Sequence, residues 1–126
     1  MRLILTDSIK KSELSPLEKV FPLKVIQIAA RKALLGLGES IKNPMKVPFT
    51  CLKKLYLTGT SGAGRVIFLL LTNEQQSVLV MLRHKNDKKI GANMAIQNPR
   101  FKGLLERNLN LIAKDLQNGK FEASEI

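Results

Sequence analysis

The fold is decided by residues 51–83, which read CLKKLYLTGTSGAGRVIFLLLTNEQQSVLVMLR. This stretch contains three β-favouring apolar runs, separated by two stretches of turn-forming residues. The runs are 51–57, 65–71 and 77–83, and the turns are 58–64 and 72–76. Each consecutive pair of runs predicts an antiparallel hairpin, so the whole stretch predicts a three-stranded meander. The middle run is apolar without alternation, which is typical of a central strand covered on both faces.

The segment before the meander predicts a strand and two helices. RLILT (2–6) has the composition of a short strand that stops at Asp7 and Ser8. Ser15 precedes Pro16 as a helix cap would, which predicts a short helix at about 16–21 with Glu18 closing a capping box. A second, longer helix is predicted from Pro22, because a proline cannot lie inside the first helix without removing a hydrogen bond. Its apolar face consists of Leu23, Ile26, Ala30, Ala33, Leu34 and Leu37.

The segment after the meander predicts one more helix. Asn98 and Pro99 form a helix start, an apolar stripe follows at helical spacing, and Asn118 with Gly119 ends it. FEASEI (121–126) is predicted to be a frayed acidic tail. The chain is therefore predicted to be a single α+β domain over 1–126, with a core at about 2–90 and a helical C-terminal extension at about 91–120. A helical pair packs on an antiparallel sheet in this prediction.

Composition excludes several classes of protein. The 126 residues include one Cys and one His, Cys51 and His84, which cannot form an internal disulfide or a closed zinc site. No apolar run is long enough to span a membrane, and the N-terminus lacks the apolar stretch of a signal peptide. No nucleotide-binding or hydrolase motif is present. We therefore expect a cytoplasmic protein that needs no metal and no cofactor.

The net charge of +11 is concentrated in two segments. Residues 42–73 carry five basic and no acidic groups, and residues 83–102 carry six basic groups and one acidic group. Clusters of this kind are typical of a site for a polyanion such as RNA. They are equally typical of a solvated surface.

Strand pairing brings basic residues of these two segments together at one rim of the predicted sheet. Arg65 begins the middle strand, and Arg83 and His84 end the next one, so an antiparallel hairpin places them side by side. Either Lys53 or Lys54 faces the same side, because side chains alternate along a strand. The alternative is that these residues only mark where the strands leave the core.

Such a site is suited to metal-independent cleavage of RNA. Cationic groups stabilise the added charge of a pentacoordinate phosphorus, and a histidine transfers a proton near neutral pH. Glu74 and Asp87 are the only acidic residues between 40 and 105, which disfavours a two-metal nuclease. The predicted catalytic residues are Arg65, Arg83 and His84. The predicted phosphate-binding residues are Lys53, Lys54, Lys85, Lys88 and Lys89.

The run NPMKVPFTCLKKLYLTGTSGAGRVIFLLL (43–71) resembles the toxins of the RelE/ParE superfamily from bacterial type II toxin–antitoxin systems. It matches the end of that family's helix, an Asn-Pro connector, a Leu-Lys-Lys-Leu strand and the strand that carries the family's arginine. The resemblance extends over about residues 2–90 and implies a RelE-like fold. Members of the RelE type cut mRNA, usually in translating ribosomes.

The resemblance also implies roles for individual residues. Arg65 matches the arginine that grips the scissile phosphate, Lys53 or Lys54 matches the basic strand position, and Arg83, His84 and Lys85 fall where the late catalytic group lies. One departure concerns the tyrosine or histidine that many members carry near the C-terminus. The single tyrosine here is Tyr56, in an early strand, so His84 would have to take that role.

The expected partners follow from the same resemblance. They are mRNA on the ribosome and an acidic antitoxin that covers the cationic groove. The expected assembly is a toxin homodimer or a toxin–antitoxin hetero-oligomer. Electrostatic complementarity would speed association with such an antitoxin. Two other functions stay open: a ParE-like toxin that inhibits DNA gyrase without cutting nucleic acid, and a non-toxic small basic nucleic-acid-binding module.

Overall fold

A six-stranded mixed sheet forms the centre of the protein in a computed structural model, which describes residues 1–45, 47–87, 90 and 94–126. The strands are β1 (Arg2–Thr6), β2 (Glu39–Ile41), β3 (Thr50–Gly59), β4 (Gly62–Leu71), β5 (Gln76–His84) and β6 (Phe121–Glu125). The α-helices are α1 (Asp7–Ile9), α2 (Leu23–Leu34) and α3 (Pro99–Gln117). The strand order across the sheet is β2-β3-β4-β5-β1-β6. The predicted α+β class is confirmed.

The meander is confirmed as two antiparallel hairpins, β3–β4 and β4–β5. Gly59 pairs with Gly62, so the first hairpin turns at only two residues, Thr60 and Ser61. Glycine is required at Gly64, because a Cβ there would lie 2.3 Å from Cζ of Phe21. The central strand β4 is buried through Val66, Ile67 and Phe68, as its unbroken apolar sequence predicts.

Helices cover both faces of the sheet. Ser77 of β5 donates a hydrogen bond to the carbonyl of Ala30 in α2 and pairs across the sheet with Leu70, so these residues face α2. The neighbouring Leu69 and Leu71 point the other way, because side chains alternate along a strand. They line an apolar groove with Leu109, Ile112 and Leu116 of α3. The apolar stripe of α3 is thus part of the same core as the meander, with Phe101, Leu105, Leu109 and Ile112 buried.

Strand β1 departs from the predicted antiparallel sheet because it pairs in parallel with β5. The chain runs from β1 through α1 and α2 to the far side of the sheet before it returns through the meander. Such a long connection permits parallel pairing, whereas a tight turn permits only antiparallel pairing. Every other strand pair is antiparallel.

The predicted helix start at Ser15 is wrong. Helical structure begins at Asp7 and passes from α1 through a π-helical turn at Lys10–Leu14 to a 3-10 turn at Ser15–Leu17. The residue at the N-cap of this 3-10 turn is Leu14 and not Ser15, and no side chain caps it. The early start is supported from a distance, because Oδ2 of Asp115 in α3 accepts a 2.8 Å hydrogen bond from the backbone N–H of Ser8.

The predicted frayed tail is also wrong, because Phe121–Glu125 forms edge strand β6 against β1. Most of its side chains are exposed, so backbone pairing rather than burial holds the strand. An ion pair of 2.7 Å between Lys10 and Glu122 also holds β6 against the rest of the protein. Strand β2 at the opposite edge, which was not predicted either, is exposed in the same way. No helix in the described ranges has the length and apolar character needed to cross a membrane.

The contact between Asp115 and Ser8 predicts a dependence of stability on pH. The backbone N–H of Ser8 lowers the pKa of Asp115, and this effect outweighs the opposing effect of burial. The stabilisation is therefore present above the unfolded-state pKa of about 3.9 and is lost as the pH falls through the folded-state value. We expect Asp115→Asn to lower the free energy of unfolding by about 1 kcal/mol near neutral pH, as for a weakened helix cap.

Urea unfolding at neutral pH and again at about pH 3, below the unfolded-state pKa, measures this effect. The difference between Asp115→Asn and the parent protein should shrink at the lower pH. Glu106→Gln is the matched control, because Glu106 is an exposed acidic residue on the same helix. An Asp115→Asn effect of equal size at both pH values would contradict the assignment.

Candidate functional site

Four polar side chains lie on one face of the meander, and we name them the Arg65 face: Lys54, Tyr56, Arg65 and Arg83. Tyr56 on β3 pairs directly with Arg65 on β4, which pairs directly with Arg83 on β5. Directly paired residues point to the same side of a sheet, and so do residues two apart on a strand. The predicted pairing of Arg65 with Arg83 is confirmed, and Lys54 is the lysine that shares their face.

A β-bulge sets which β5 residue lies opposite Arg65. Ile67 pairs with Met81 and Phe68 pairs with Leu79, so β5 has one extra residue, Val80, at this point. If the pairing of Phe68 with Leu79 continued without a bulge, Leu82 would lie opposite Arg65. The bulge therefore brings a second guanidinium beside the first, in agreement with the general use of bulges to redirect a side chain.

Arg83 is neutralised by two carboxylates. Its Nε donates to Oε1 of Glu13 at 3.0 Å and its Nη2 donates to Oε2 of Glu13 at 2.8 Å, which is a bidentate pair. Its Nη1 contacts Oδ2 of Asp87 at 3.4 Å. Burial lowers the pKa of Arg83, but the hydrogen bonds and charges of Glu13 and Asp87 outweigh it and raise the pKa. The side chain is a fixed cation with committed donors.

Glu13 also completes the edge of β5. Strand β1 pairs with β5 only as far as Val78, which leaves the backbone beyond that residue without a strand partner on this side. Oε1 of Glu13 accepts the N–H of Leu82, and the side-chain amide of Asn108 donates to the carbonyl of Val80. Glu13 is 3% exposed, so its charge depends on Arg83 for compensation. A polar cleft of about 270 Å³ opens beside this ion pair.

Arg65 differs from Arg83 in its hydrogen bonding. Its Nε and Nη1 atoms are buried, and neither has a hydrogen-bond partner among the residues that the structure describes. The guanidinium carbon lies 5.2 Å from the ring centroid of Tyr56, within the range of a cation–π contact. Buried donors without partners are rare and costly in folded proteins. Arg65 is thus a cation with two buried donor atoms that lack acceptors among the described residues.

The two predicted lysines of β3 are separated by strand alternation. Lys54 lies on the Arg65 face, where its Nζ is 3.3 Å from Oε2 of Glu39 and 3.4 Å from the carbonyl of Met94. Lys53 pairs with Phe68 and points to the other face, which α2 covers. Lys54 is accordingly held in place near Arg65, whereas Lys53 is not part of this arrangement.

His84 lies on the face opposite to Arg65. It pairs with Gly64, and its Nε2 lies 2.7 Å from the position that a Cβ of Gly62 would occupy. Its Nδ1 accepts the N–H of Asn86 at 3.1 Å, and its Nε2 lies 3.4 Å from the carbonyl oxygen of Ser61. In this geometry Nδ1 is an acceptor and Nε2 faces a carbonyl oxygen. The catalytic role of His84 stays a prediction, but the ring does not share a side with the Arg65 guanidinium.

The remaining predicted residues follow β5. Lys85 is exposed in a turn, where its N–H donates to the carbonyl of Ala63. Lys88 and Lys89 lie outside the described residues.

Tyr56 and Glu13 are site residues that the sequence reasoning missed. Tyr56 could have been found by placing the hairpin turn at Thr60 and Ser61, since counting back from that turn pairs Tyr56 with Arg65. Seven turn-forming residues left several registers open. Glu13 carries no local signal, because it is 70 positions from Arg83 in the sequence.

No protein-family model, no curated protein and no solved structure matches the chain significantly. The function is therefore argued from the Arg65 face itself. Among the described residues, no group of three or more His, Cys, Asp and Glu side chains is arranged to hold a metal ion.

Proposed function

We propose that the protein is the toxin of a type II toxin–antitoxin system, of the RelE kind, and that its Arg65 face binds and cleaves mRNA. The observation that carries the proposal is that two buried donor atoms on Arg65 have no partner among the described residues. A guanidinium donates charge-assisted hydrogen bonds to phosphate oxygens, so a phosphodiester would supply acceptors of the kind that these atoms lack.

The chemistry of the proposed reaction needs stabilisation of negative charge at phosphorus. In that reaction the 2′-hydroxyl loses its proton to water and attacks the adjacent phosphorus, which produces a pentacoordinate species with added charge on its oxygens. The P–O5′ bond then breaks, which leaves a 2′,3′-cyclic phosphate and releases a 5′-hydroxyl that takes up a proton from water. Arg65 is suited to bind those oxygens, because its donors are already dehydrated and fixed against Tyr56. Arg83 adds positive potential nearby but keeps its own donors on Glu13 and Asp87.

The net charge of +11 supports the same class of ligand and partner. A phosphate backbone would be attracted to the protein in a salt-dependent manner. An acidic antitoxin would be attracted by the same field and would compete with RNA for the Arg65 face.

Cleavage of labelled mRNA by the purified protein tests the proposal, with and without translating ribosomes and in the presence of a metal chelator. We expect chelator-resistant cuts that an acidic co-transcribed partner protein suppresses. Intact mRNA under both conditions would overturn the ribonuclease assignment.

A ParE-like toxin that inhibits DNA gyrase is the second candidate. The position of His84 favours it, because the chain's one imidazole is on the other face from Arg65. A gyrase supercoiling assay run beside the mRNA assay separates the two toxins. Growth without arrest during expression, with no activity in either assay, would instead favour a non-toxic nucleic-acid-binding module.

A further inference from the structure

We propose that Tyr56 is a stacking platform for one unpaired nucleobase, and that Arg65 binds the phosphate attached to that nucleotide. The inference rests on the proposed function and extends it, because it assigns the recognition of the substrate to a single-stranded segment. It also explains why a large aromatic side chain lies exposed beside an incompletely bonded arginine.

Tyr56 is exposed on its face of the sheet. The residue is 66% exposed, whereas its strand neighbours Leu55 and Leu57, which point to the opposite face, are each 7% exposed. A tyrosine that served only to fill the core would be buried, whereas this ring leaves much of its surface open to solvent. Aromatic rings exposed in this way stack on nucleobases of any sequence, at about 1–3 kcal/mol per base.

The contact with Arg65 orients the ring. The guanidinium lies 5.2 Å from the ring centroid, and this cation–π attraction favours one position of an otherwise exposed side chain. The same contact ties the ring to the two buried donors of Arg65. A base on Tyr56 and a phosphate on Arg65 are thereby placed next to each other, as they are within one nucleotide.

The proposed site predicts a preference for single strands. A base in a duplex is paired and stacked inside the helix, so it stacks on Tyr56 only after leaving its base pair.

Intrinsic fluorescence reports on the proposed contact directly. The chain has one tyrosine and no tryptophan, so the emission of the protein comes from Tyr56. We expect a single-stranded 2′-O-methyl RNA oligomer, which cannot be cleaved through the 2′-hydroxyl, to quench this emission. The quenching should saturate at the same concentration as binding measured by anisotropy. An abasic oligomer of the same length should bind without quenching.

The affinities of variants for the base-bearing and the abasic oligomers test the same contact. Wild-type protein should bind the base-bearing oligomer about 5- to 150-fold more tightly than the abasic one, as the stacking energy implies. Tyr56→Ala should remove this difference, Tyr56→Phe should keep it, and Arg65→Ala should weaken the binding of both oligomers. Phe49→Ala is the control, because Phe49 is 67% exposed but lies before the other end of β3.

The inference is overturned if binding saturates with no change in tyrosine emission, if duplex RNA binds as tightly as the single strand, or if Phe49→Ala acts like Tyr56→Ala. Its failure is distinct from failure of the proposed function. Quenching and base-dependent binding without any mRNA cleavage would support the stacking site and overturn the ribonuclease. If Tyr56→Ala still cleaves mRNA and binds it with unchanged affinity, the ribonuclease is supported and the stacking site is overturned.

Discussion

Arg65→Ala should lower the affinity for RNA and the rate of RNA cleavage by about 100-fold or more, while leaving the fold as stable as before. Each charge-assisted hydrogen bond to the buried Nε and Nη1 atoms contributes about 1.5–3 kcal/mol, and loss of a transition-state donor costs about 10²–10³ in rate. No acceptor among the described residues bonds these two atoms, so truncation removes two unsatisfied donors.

Two measurements check this expectation: the affinity for RNA at two salt concentrations and the free energy of unfolding in urea. The salt dependence of binding should become shallower by about one phosphate contact. Lys24→Ala is the charge-matched control, because Lys24 is exposed on α2 and lies outside the Arg65 face. Arg65→Lys should recover only part of the activity, since an ammonium lacks the planar pair of donors.

A large loss of stability in Arg65→Ala would contradict the assignment, because it would make Arg65 a structural residue. Unchanged RNA affinity in a stable variant would contradict it equally.

Glu13→Ala should lower the free energy of unfolding by about 3–5 kcal/mol, which is the largest effect on stability that we expect in this protein. The substitution leaves the mostly buried guanidinium of Arg83 without its bidentate partner and the N–H of Leu82 without an acceptor. Both groups sit at the β5 edge that no strand covers, so nothing in the described fold replaces the carboxylate.

Urea unfolding of a series of variants measures this effect. Glu13→Gln should fall between Ala and the parent, because its carbonyl can still accept a hydrogen bond but its charge is gone. The double variant Glu13→Leu with Arg83→Met should be more stable than Glu13→Ala, since an apolar pair leaves no buried charge uncompensated. Glu18→Ala, at an exposed acidic residue shortly after the same helical turns, should change stability by no more than about 0.5 kcal/mol.

A cost below about 1 kcal/mol for Glu13→Ala would place the ion pair in the class of exposed surface pairs and contradict this account of β5. Equal losses in Glu13→Ala and in the double variant would show that the carboxylate acts through Leu82 alone.

The parts of the fold that the sequence predicts are those held by local patterns. The meander follows from apolar runs and turn residues that are neighbours in the chain, and α3 follows from its Asn98 cap and its apolar stripe. Strand β6 has no such pattern, because its partner β1 supplies backbone pairing to mostly exposed side chains. The helical start at Asp7 is stabilised by the hydrogen bond from the N–H of Ser8 to Asp115. Asp115 lies near the other end of the chain, so the residues around Asp7 do not predict this contact.

The local sequence pattern is enough to place Arg65 near the start of one strand and Arg83 near the end of the next, because turn length and strand length bring those positions together. What each arginine does there depends on contacts with distant segments. The extra residue at Val80 turns Arg83 and not Leu82 toward Arg65, and a shift of one residue reverses the side that every following side chain faces. Glu13, from a distant segment, accepts hydrogen bonds from the Arg83 guanidinium. The ring of Tyr56 contacts the Arg65 guanidinium but accepts no hydrogen bond from its Nε or Nη1. Two arginines with the same local context thus differ. Arg83 is a structural cation, and Arg65 keeps two buried donor atoms without acceptors among the described residues, because hydrogen-bond partners are set by packing between segments far apart in the chain.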